Sequence, residues 1–282
     1  MKPPPFRYHA PRTVDAALEV LAGAGDGGKV LAGGQSLIPL LNMRLAAPTD
    51  LVDVNRVDGL DRIEVGDSEV RVGAAVRASD LERHGGATAA IPLLREALQL
   101  VAHPVIRNRG TICGSLAHAD PAAEMPAVLR LLEGSLHIRS ADGERIADAA
   151  RFFVAPLTAD LRPGELVTEA VFRVPPPHTG TAFVEVSRRH GDYALCGVAV
   201  RATVEDGGVG DARAVLIGVG GVPVTVDLTA AEGDVEAADE LARDAVDPDT
   251  DIHATAEYRR HLAGVLTARA LRTALARAGE AA

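Results

Sequence analysis

The amino-acid sequence predicts an α+β fold with a larger front part and a smaller rear part. Short apolar strands alternate with amphipathic helices along the front of the chain, whereas residues 166–219 carry successive strands separated by turns. From about Leu228 the pattern is helical. Pro175-Pro176-Pro177 makes a stiff break between the two patterns. We therefore expect domains over residues 1–174 and 175–282, with the first divided into two subdomains near residue 57.

The front part is predicted to open with a β-loop-α-β unit. Thr13 can cap the helix that precedes this unit, and Pro39 is tolerated only in the first turn of the helix within it. A glycine-rich loop lies between the buried first strand and that second helix. In chain order, the helix, strand, helix and strand are expected at residues 14–24, 29–32, 37–45 and 50–55.

The rear part is predicted to be a small antiparallel sheet followed by a C-terminal helical bundle. Asp206-Gly207-Gly208 is a strong hairpin turn within it. In the front part, Ser79 is expected to cap a short helix, and Asp120-Pro121 to begin a longer one. The Ala141-Asp142-Gly143 turn that follows residues 136–139 predicts a hairpin. The further strands are expected at residues 70–76, 136–139, 166–174, 182–188, 197–204 and 212–219, and the further helices at residues 79–84, 92–102, from 120 onwards and at 255–279.

The composition of the chain argues against several functional classes. Its formal net charge is −10, unlike the basic surfaces that bind nucleic acids or anionic membranes. Its two cysteines, Cys113 and Cys196, are too few for an iron–sulfur cluster or a four-cysteine zinc site. The N-terminus lacks the apolar core of a signal peptide, and no apolar run is long enough to span a bilayer. We expect a cytoplasmic protein without a metal site on this chain.

Two glycine-rich loops, about eighty residues apart, are the strongest functional signal. The first is Ala32-Gly33-Gly34-Gln35-Ser36 and the second is Thr111-Ile112-Cys113-Gly114-Ser115. Glycine lets a backbone approach a bulky anion, and free amides at the start of a helix point towards it. One such loop is usually only a turn, but two suggest a ligand with two phosphates, such as FAD. Neither loop has the Rossmann fingerprint or a P-loop sequence.

Four stretches of the chain carry a family resemblance: Val30 to Leu45, Arg107 to Glu124, Gly191-Asp192-Tyr193-Ala194 and Ala254 to Arg260. They resemble the FAD-binding subunit of the molybdenum hydroxylase family, which includes the carbon monoxide dehydrogenase medium subunit and the flavin domain of xanthine dehydrogenase. The resemblance implies a two-subdomain FAD-binding domain of the PCMH type, similar to vanillyl-alcohol oxidase. A C-terminal domain of the carbon monoxide dehydrogenase flavoprotein type is implied to follow it.

The resemblance also implies a set of contacts with FAD. Both glycine loops match segments that bind the pyrophosphate and ribityl region. Glu124 matches an acidic position that hydrogen-bonds FAD, with Asp120 about one helical turn earlier. Val101 and Leu161 match apolar positions that line the flavin or adenine, and Tyr193 resembles a tyrosine that shields the isoalloxazine ring. The expected cofactor-binding residues are Val30, Leu31, Ala32, Gly33, Gly34, Gln35, Ser36, Leu37, Val101, Thr111, Cys113, Gly114, Ser115, Asp120, Glu124, Leu161 and Tyr193.

Several of these positions have an ordinary structural alternative. Asp120 is a natural helix cap, and Tyr193 would otherwise be a core aromatic residue. Cys113 stands where many relatives have glycine, so the cysteine is expected to cost stability if this position requires a positive φ. His118 is either a packing residue or a proton carrier. The Arg107-Asn108-Arg109 cluster is either a solvated face or a site that favours phosphate or reduced flavin.

The implied function is electron transfer in a multi-subunit molybdenum hydroxylase. The family implies a small subunit with two [2Fe-2S] clusters and a large subunit with molybdopterin, where the substrate is hydroxylated. Electrons would pass through FAD on this chain to NAD, oxygen or a quinone, without a classical catalytic residue. The alternatives are a self-sufficient FAD-dependent oxidoreductase that acts directly on a small molecule, and a non-catalytic FAD- or nucleotide-binding module.

Overall fold

The fold is that of a computed structural model, which describes residues 2–205 and 207–280, and it confirms the predicted α+β class. Its strands are β1 (Arg7–His9), β2 (Gly28–Leu31), β3 (Asp50–Asp53), β4 (Ile63–Val65), β5 (Glu69–Gly73), β6 (Ser135–Ser140), β7 (Gly143–Asp148), β8 (Phe153–Ala155), β9 (Thr158–Ala159), β10 (Leu166–Arg173), β11 (Thr179–Ser187), β12 (Ala194–Glu205), β13 (Gly208–Ile217) and β14 (Val224–Asp227). Its helices are α1 (Val14–Ala24), α2 (Leu37–Asn42), α3 (Ala78–Arg83), α4 (Gly85–Ala90), α5 (Pro92–Leu100), α6 (Pro104–Arg107), α7 (Ile112–His118), α8 (Glu124–Leu131), α9 (Ala149–Phe152), α10 (Val235–Asp244) and α11 (Ala256–Glu280).

A small parallel sheet, in the order β1-β3-β2, forms the N-terminal part of the chain. The register places Val30 beside Val52, and this parallel pairing confirms the predicted β-loop-α-β unit. The Thr13 hydroxyl accepts a hydrogen bond from the Ala16 amide at 3.2 Å and so caps α1, as predicted. Strand β2 is half-buried rather than fully buried, and the first glycine loop follows its carboxyl end.

An antiparallel sheet, in the order β4-β5-β10-β6-β7, follows in the front part. Strand β10 inserts between β5 and β6, which precede it in the chain, and α7 packs against β5 and β10. The pairing of β6 with β7 confirms the hairpin predicted around Asp142. Phe152 and Phe172 are among the largest fully buried side chains, in a core otherwise made mostly of aliphatic residues. This core supports the second glycine loop from below.

The rear part is the predicted antiparallel sheet, in the order β11-β12-β13-β14. The predicted helical bundle consists of α10 and α11, which pack on each other, and α11 also packs on β11 and β12. A Cβ built on Gly180 would lie on the Ala274 carbonyl, so only glycine permits this close approach of strand and helix. The hairpin predicted at Asp206-Gly207-Gly208 joins β12 to β13, although Asp206 itself lies outside the described residues.

Helices α5 and α8 connect the two parts. Helix α5 contacts β11, and α8 contacts β12 and β13. The Glu96 side chain of α5 accepts a hydrogen bond from the Phe183 amide of β11 at 3.2 Å. The segment from Pro121 to α8 is also tied to the rear sheet, because the Gly218 amide donates to the Pro121 carbonyl at 2.9 Å. The rear sheet therefore lies directly against the segment that contains Glu124.

Several helix boundaries differ from the prediction, two of them around the first glycine loop and α3. The helix expected over residues 37–45 ends at Asn42, because Arg44 adopts a left-handed φ of 60° that cannot continue it. Ser79 lies inside α3 and is buried, whereas the cap position is occupied by Arg77 without a side-chain hydrogen bond. Strands β1, β4, β8, β9 and β14 are absent from the prediction, because two to four residues carry little periodicity. Within the described ranges, no helix is both long enough and apolar enough to cross a membrane.

Candidate cofactor-binding site

The first glycine loop presents a run of free backbone amides. Residues 32–36 lie between β2 and α2, and the amides of residues 33–36 donate to no acceptor in the described chain. Gly34 has a left-handed φ of 74°, which glycine adopts without a steric penalty. Backbone N–H groups that are shielded from water are normally paired, so these free amides call for an acceptor outside the chain. Successive N–H groups that point the same way form a concave site suited to an anion.

The residues around this loop contribute in different ways. The Gln35 amide nitrogen donates to the Gly33 carbonyl at 3.2 Å, which fixes that side chain within the loop. The Ser36 hydroxyl has no hydrogen-bond partner among the described residues and is half-buried. The predicted apolar residues of this segment are also half-buried: Val30, Leu31, Ala32 and Leu37. Each of these side chains is therefore only partly covered by the core, and the rest of its surface stays accessible.

The two glycine loops lie against each other. A Cβ built on Gly33 would fall 2.4 Å from the Arg109 carbonyl oxygen and 2.7 Å from the Gly110 Cα. A Cβ built on Gly114 would lie 3.7 Å from the Ala32 Cβ. The fold therefore brings together the two segments that the sequence singled out, and glycine at position 33 is what allows their backbones to touch.

The second loop is more strongly occupied by its own hydrogen bonds. Thr111 caps α7, and its hydroxyl accepts a hydrogen bond from the Gly114 amide at 3.1 Å. Helix α7 begins within this loop, and Ser115 lies in its first turn, half-buried. The loop thus offers fewer free amides than the sequence predicted, because the helix cap consumes one of them.

Cys113 lies in α7 with helical geometry, so the positive φ considered for this position is not required. Its thiol is buried, and Sγ donates to the Val72 carbonyl at 3.5 Å. Burial raises the pKa of the Cys113 thiol to about 12. The side chain therefore packs in the core beneath the loop.

Asp120 is not the cap of the next helix. Helix α8 begins at Glu124 with Ala123 at the cap position, and the Asp120 carboxylate instead accepts from the Ala122 amide at 2.9 Å. This local turn satisfies the carboxylate before a helix can start. Glu124 is only 8% exposed, and burial raises its pKa to about 8, with further contributions from Glu185 and Asp120. At neutral pH the Glu124 carboxyl is mostly protonated and can donate a hydrogen bond.

Glu185 is a site residue that the sequence analysis missed. It lies on β11 opposite Gly197, and its Oε2 atom is buried without a hydrogen-bond partner in the described structure. Burial raises the pKa of Glu185 to about 7, and its charge acts on Glu124. A single glutamate in a strand pattern carries no signal for this role, because only the packing of the rear sheet on α8 brings the two carboxyls together.

Tyr193 lies at the edge of this acidic region. It is 73% exposed and is therefore not a core aromatic residue. Partial burial, then the carboxylates of Asp120 and Glu124, raise its pKa, so these three residues share one neighbourhood. The preceding loop packs on the loop that follows α5, since a Cβ built on Gly191 would meet the Ala102 carbonyl at 2.8 Å. The segment before Tyr193 therefore lies against the residue that follows Val101, and Val101 is itself half-buried against the core.

Two predicted groups remain to be placed, Leu161 and the Arg107-Asn108-Arg109 cluster. Leu161 is half-buried just after β9, whose short hairpin contacts α7. Arg107 is buried and pairs with Glu82 at 2.8 Å, while its guanidinium also donates to the Val101 carbonyl at 2.9 Å. Of the two alternatives left open for this cluster, a solvated face does not describe Arg107, whose charge is neutralised by Glu82. Arg109, by contrast, is exposed beside Gly110.

A polar network joins the two loops. The Asn55 amide nitrogen donates to the Ala32 carbonyl at 2.8 Å, and the Arg77 guanidinium donates to the Asn55 amide oxygen at 2.6 Å and to the Arg109 carbonyl. Sequence reasoning missed both side chains. Asn55 could have been found, because it follows β3 at the same sheet edge as the first loop. Arg77 has no sequence signal.

The arrangement as a whole supports binding of an elongated anionic ligand. Free amides and the Ser36 hydroxyl suit a diphosphate, while the protonated Glu124 and the exposed Tyr193 offer a donor and an aromatic surface further along. The hydrogen-bond donors match the polar groups of a dinucleotide, and the tyrosine ring matches its aromatic rings. In the part of the chain that the structure describes, no group of three histidine, cysteine or acidic side chains is arranged to hold a metal ion.

Known families and proteins are similar to this chain along most of its length. Residues 4–177 match the family of the FAD binding domain in molybdopterin dehydrogenase, and residues 181–274 match the CO dehydrogenase flavoprotein C-terminal domain. The 6-hydroxypseudooxynicotine dehydrogenase complex subunit alpha of Paenarthrobacter nicotinovorans is 41% identical, over 99% of this chain and 97% of that protein. The carbon monoxide dehydrogenase medium chain of Hydrogenophaga pseudoflava is 35% identical, over 98% and 99% of the two chains.

Solved structures agree with this similarity. A structure of carbon monoxide dehydrogenase from Hydrogenophaga pseudoflava, which lacks the Mo-pyranopterin moiety of the molybdenum cofactor, contains a chain that superposes with a TM-score of 0.94. The two chains are 34% identical, and the match covers 98% of this chain and 99% of that one.

Proposed function

This chain belongs to the family of FAD-binding subunits of molybdenum hydroxylases, and on that basis we propose that it carries electrons within a multi-subunit oxidoreductase. Electrons arrive from [2Fe-2S] clusters of a small partner subunit and leave through FAD to NAD, oxygen or a quinone. The substrate is hydroxylated at molybdopterin on a large partner subunit. The observation that carries this proposal is the run of free amides packed against a second glycine loop, within a chain that has only two cysteines.

The two glycine loops hold the FAD pyrophosphate. The amides of residues 33–36 and the hydroxyls of Ser36 and Ser115 are the donors available to its oxygens, whereas the Thr111 hydroxyl positions α7. The other residues of the site are those named from the family resemblance, with Glu185 added. Hydrogen bonds to charged phosphate oxygens are about twice as strong as neutral ones, so a few such donors are enough to retain the cofactor.

The remaining residues set the environment of the flavin. Bound FAD supplies reversible acceptance of two electrons, a chemistry that no protein side chain provides. Glu124 holds a proton at its buried carboxyl and donates a hydrogen bond to the cofactor. Tyr193, whose ring is exposed, would cover the isoalloxazine ring of bound FAD and limit the access of acceptors. Val101 and Leu161 provide apolar walls.

The proposed domain division is at residues 174 and 175. Strand β10 is the last strand of the front sheets, and β11 is the first strand of the rear sheet. Pro175-Pro176-Pro177 lies between them. Within the front domain, the division near residue 57 separates the parallel sheet, which ends with β3, from the antiparallel sheet, which begins with β4.

The test of the proposed function is a mild affinity purification of this chain from its native cells. The visible spectrum, the released flavin, the iron and molybdenum contents and the co-purifying subunits are measured together. We expect FAD together with iron, molybdenum and two further subunits.

Two other results would contradict the proposal. FAD on an isolated chain that is reduced directly by a small substrate would identify a self-sufficient oxidoreductase. A folded chain that binds no flavin, even after incubation with added FAD, would remove the basis of the cofactor site.

Tyr193→Ala is the matched variant for the flavin environment, and it is expected to retain FAD but to change the rate at which oxygen reoxidises the reduced chain.

A further inference from the structure

One arginine connects the two glycine loops through neutral hydrogen-bond acceptors. Arg77 donates to the Arg109 carbonyl, which precedes the second loop, and to the Asn55 amide oxygen at 2.6 Å. Asn55 donates in turn to the Ala32 carbonyl of the first loop at 2.8 Å. We call Arg77 and Asn55 the loop clamp. It links two segments that lie about eighty residues apart in the sequence.

The loop clamp determines where the backbone donors of the first loop point. The Ala32 carbonyl and the Gly33 amide belong to the same trans peptide unit, so the two groups point in opposite directions. Because Asn55 holds the carbonyl on one side, the Gly33 amide is turned to the other side, where it has no acceptor in the described chain. The clamp therefore orients a free donor without occupying it.

The same clamp fixes the contact between the loops. The Arg109 carbonyl that accepts from Arg77 is the group against which Gly33 packs most closely. If that carbonyl moved, the packing surface of Gly33 would move with it. Arg77 thus controls both the direction of the first loop and its distance from the second.

The charge of Arg77 is not neutralised where it lies. It is half-buried and forms no ion pair with any carboxylate of the described residues. Asp80 pairs instead with Arg83 at 3.1 Å, and Asp53 accepts hydrogen bonds from Tyr8 and Asn55. Burial, then the neighbouring Arg109, lower the pKa of Arg77, and the carboxylates of Asp80 and Asp53 partly oppose this shift without pairing with the guanidinium. A half-buried cation without a partner is costly, and an anion bound nearby would offset that cost.

We propose that Arg77 is a positioning residue for the diphosphate of FAD, which it serves by holding the two glycine loops in register through Asn55 and by supplying an unneutralised positive charge beside them. This inference rests on the proposed function, in which the two loops bind the pyrophosphate. It adds to that function a side chain that is linked through Asn55 to the loop backbone on the side opposite to the free Gly33 amide.

The test separates the hydrogen bonds of Arg77 from its charge. Arg77→Met removes both, whereas Arg77→Lys keeps the charge but cannot span two acceptors with a planar guanidinium. Arg83→Met is the matched control, because it removes the same charge from an exposed pair on the next helix. The dissociation constant of FAD is measured on the full-length apoprotein by quenching of flavin fluorescence, at several salt concentrations. Thermal unfolding of each apoprotein is recorded in parallel.

We expect Arg77→Met to weaken FAD binding by about 10- to 100-fold, the effect of losing hydrogen bonds to a charged group. Its binding should also depend less on salt than that of the wild type, because one positive charge no longer contributes. Arg77→Lys should keep the wild-type salt dependence while losing part of the affinity. Arg83→Met should change neither quantity by more than about twofold.

Two results would overturn the inference. One is an Arg77→Met protein that binds FAD as the wild type does. The other is a loss of affinity in Arg77→Lys and Arg77→Met alike with unchanged salt dependence in both, which would show a purely structural role. If Arg77→Met does not fold, the salt dependence and affinity of Arg77→Lys decide between these outcomes. A wild-type chain that fails to bind FAD contradicts the proposed function instead, so the two failures are distinguishable.

Discussion

Gly33 is the position where a single added methyl group tests the packing of the two loops most directly. In Gly33→Ala the new Cβ would lie 2.4 Å from the Arg109 carbonyl oxygen and 2.7 Å from the Gly110 Cα. Both contacts are with backbone, so no side chain can rotate to make room. The second loop must therefore move away by more than half an ångström.

The magnitude follows from the cost of overpacking. Inserting a methyl group where neighbours cannot yield costs about 1–3 kcal/mol. If the loops separate in the apoprotein, this energy reappears when FAD draws them together again. The corresponding loss of affinity for FAD is about 5- to 150-fold.

The assay is a fluorescence titration of the apoprotein with FAD, accompanied by urea unfolding of the same samples. Gly23→Ala is the matched control, because Gly23 lies within α1 and a Cβ there meets no atom within 4 Å. Alanine is the better helix former, so this control is expected to be more stable by about 0.5–1 kcal/mol and to bind FAD normally.

A Gly33→Ala protein with wild-type FAD affinity and wild-type stability would refute the reasoning. It would mean that the loops are not in backbone contact in solution. A protein that loses stability but keeps its affinity would place the contact outside the ligand site, and would equally contradict the assignment of the first loop to the cofactor.

The other predictions concern the second loop, the rear sheet, the acidic region and the thiols. Gly114→Val should abolish retention of FAD through purification, because a Cβ at this position would lie 2.6 Å from the capping hydroxyl of Thr111; normal flavin content would contradict it. Arg259→Met should lower the free energy of unfolding in urea by about 3 kcal/mol, since its buried guanidinium donates to the carbonyls of Leu195 and Gly218 at 2.8 and 2.7 Å. The folded-state pKa of Glu124, about 8, lies above its ordinary value, so its contribution to stability is full at low pH and is lost as pH rises through 8. Relative to Glu124→Gln, the free energy of unfolding of the wild-type apoprotein in urea should fall by up to about 1.4 kcal/mol per pH unit between pH 5 and 8. The same pH dependence in both proteins would show that this carboxyl is not buried. Burial raises the pKa of both Cys113 and Cys196 to about 12, so a thiol reagent at pH 8 should modify neither in the native protein and both in denaturant; rapid labelling of the native protein would show that the core is open.

Local sequence signals predicted the elements well wherever one residue sets the local structure. Thr13 caps α1, and the turn around Asp142 joins β6 to β7. The prediction was wrong at Asp120, where the carboxylate bonds to the Ala122 amide and the helix starts four residues later. A side chain that can cap a helix can equally close a turn, and the choice depends on the packing that follows.

The sequence by itself determined the α+β class, the two glycine loops and the family to which their motifs belong. These features are local, because glycine acts on its own backbone and a hydrophobic period is read within one element. The tertiary structure alone decided that Glu185 lies beside Glu124, that Arg107 is neutralised by Glu82, and that Arg77 links the loops. Burial and charge pairing depend on partners that are distant in the chain, so they exist only once the sheets and helices have packed.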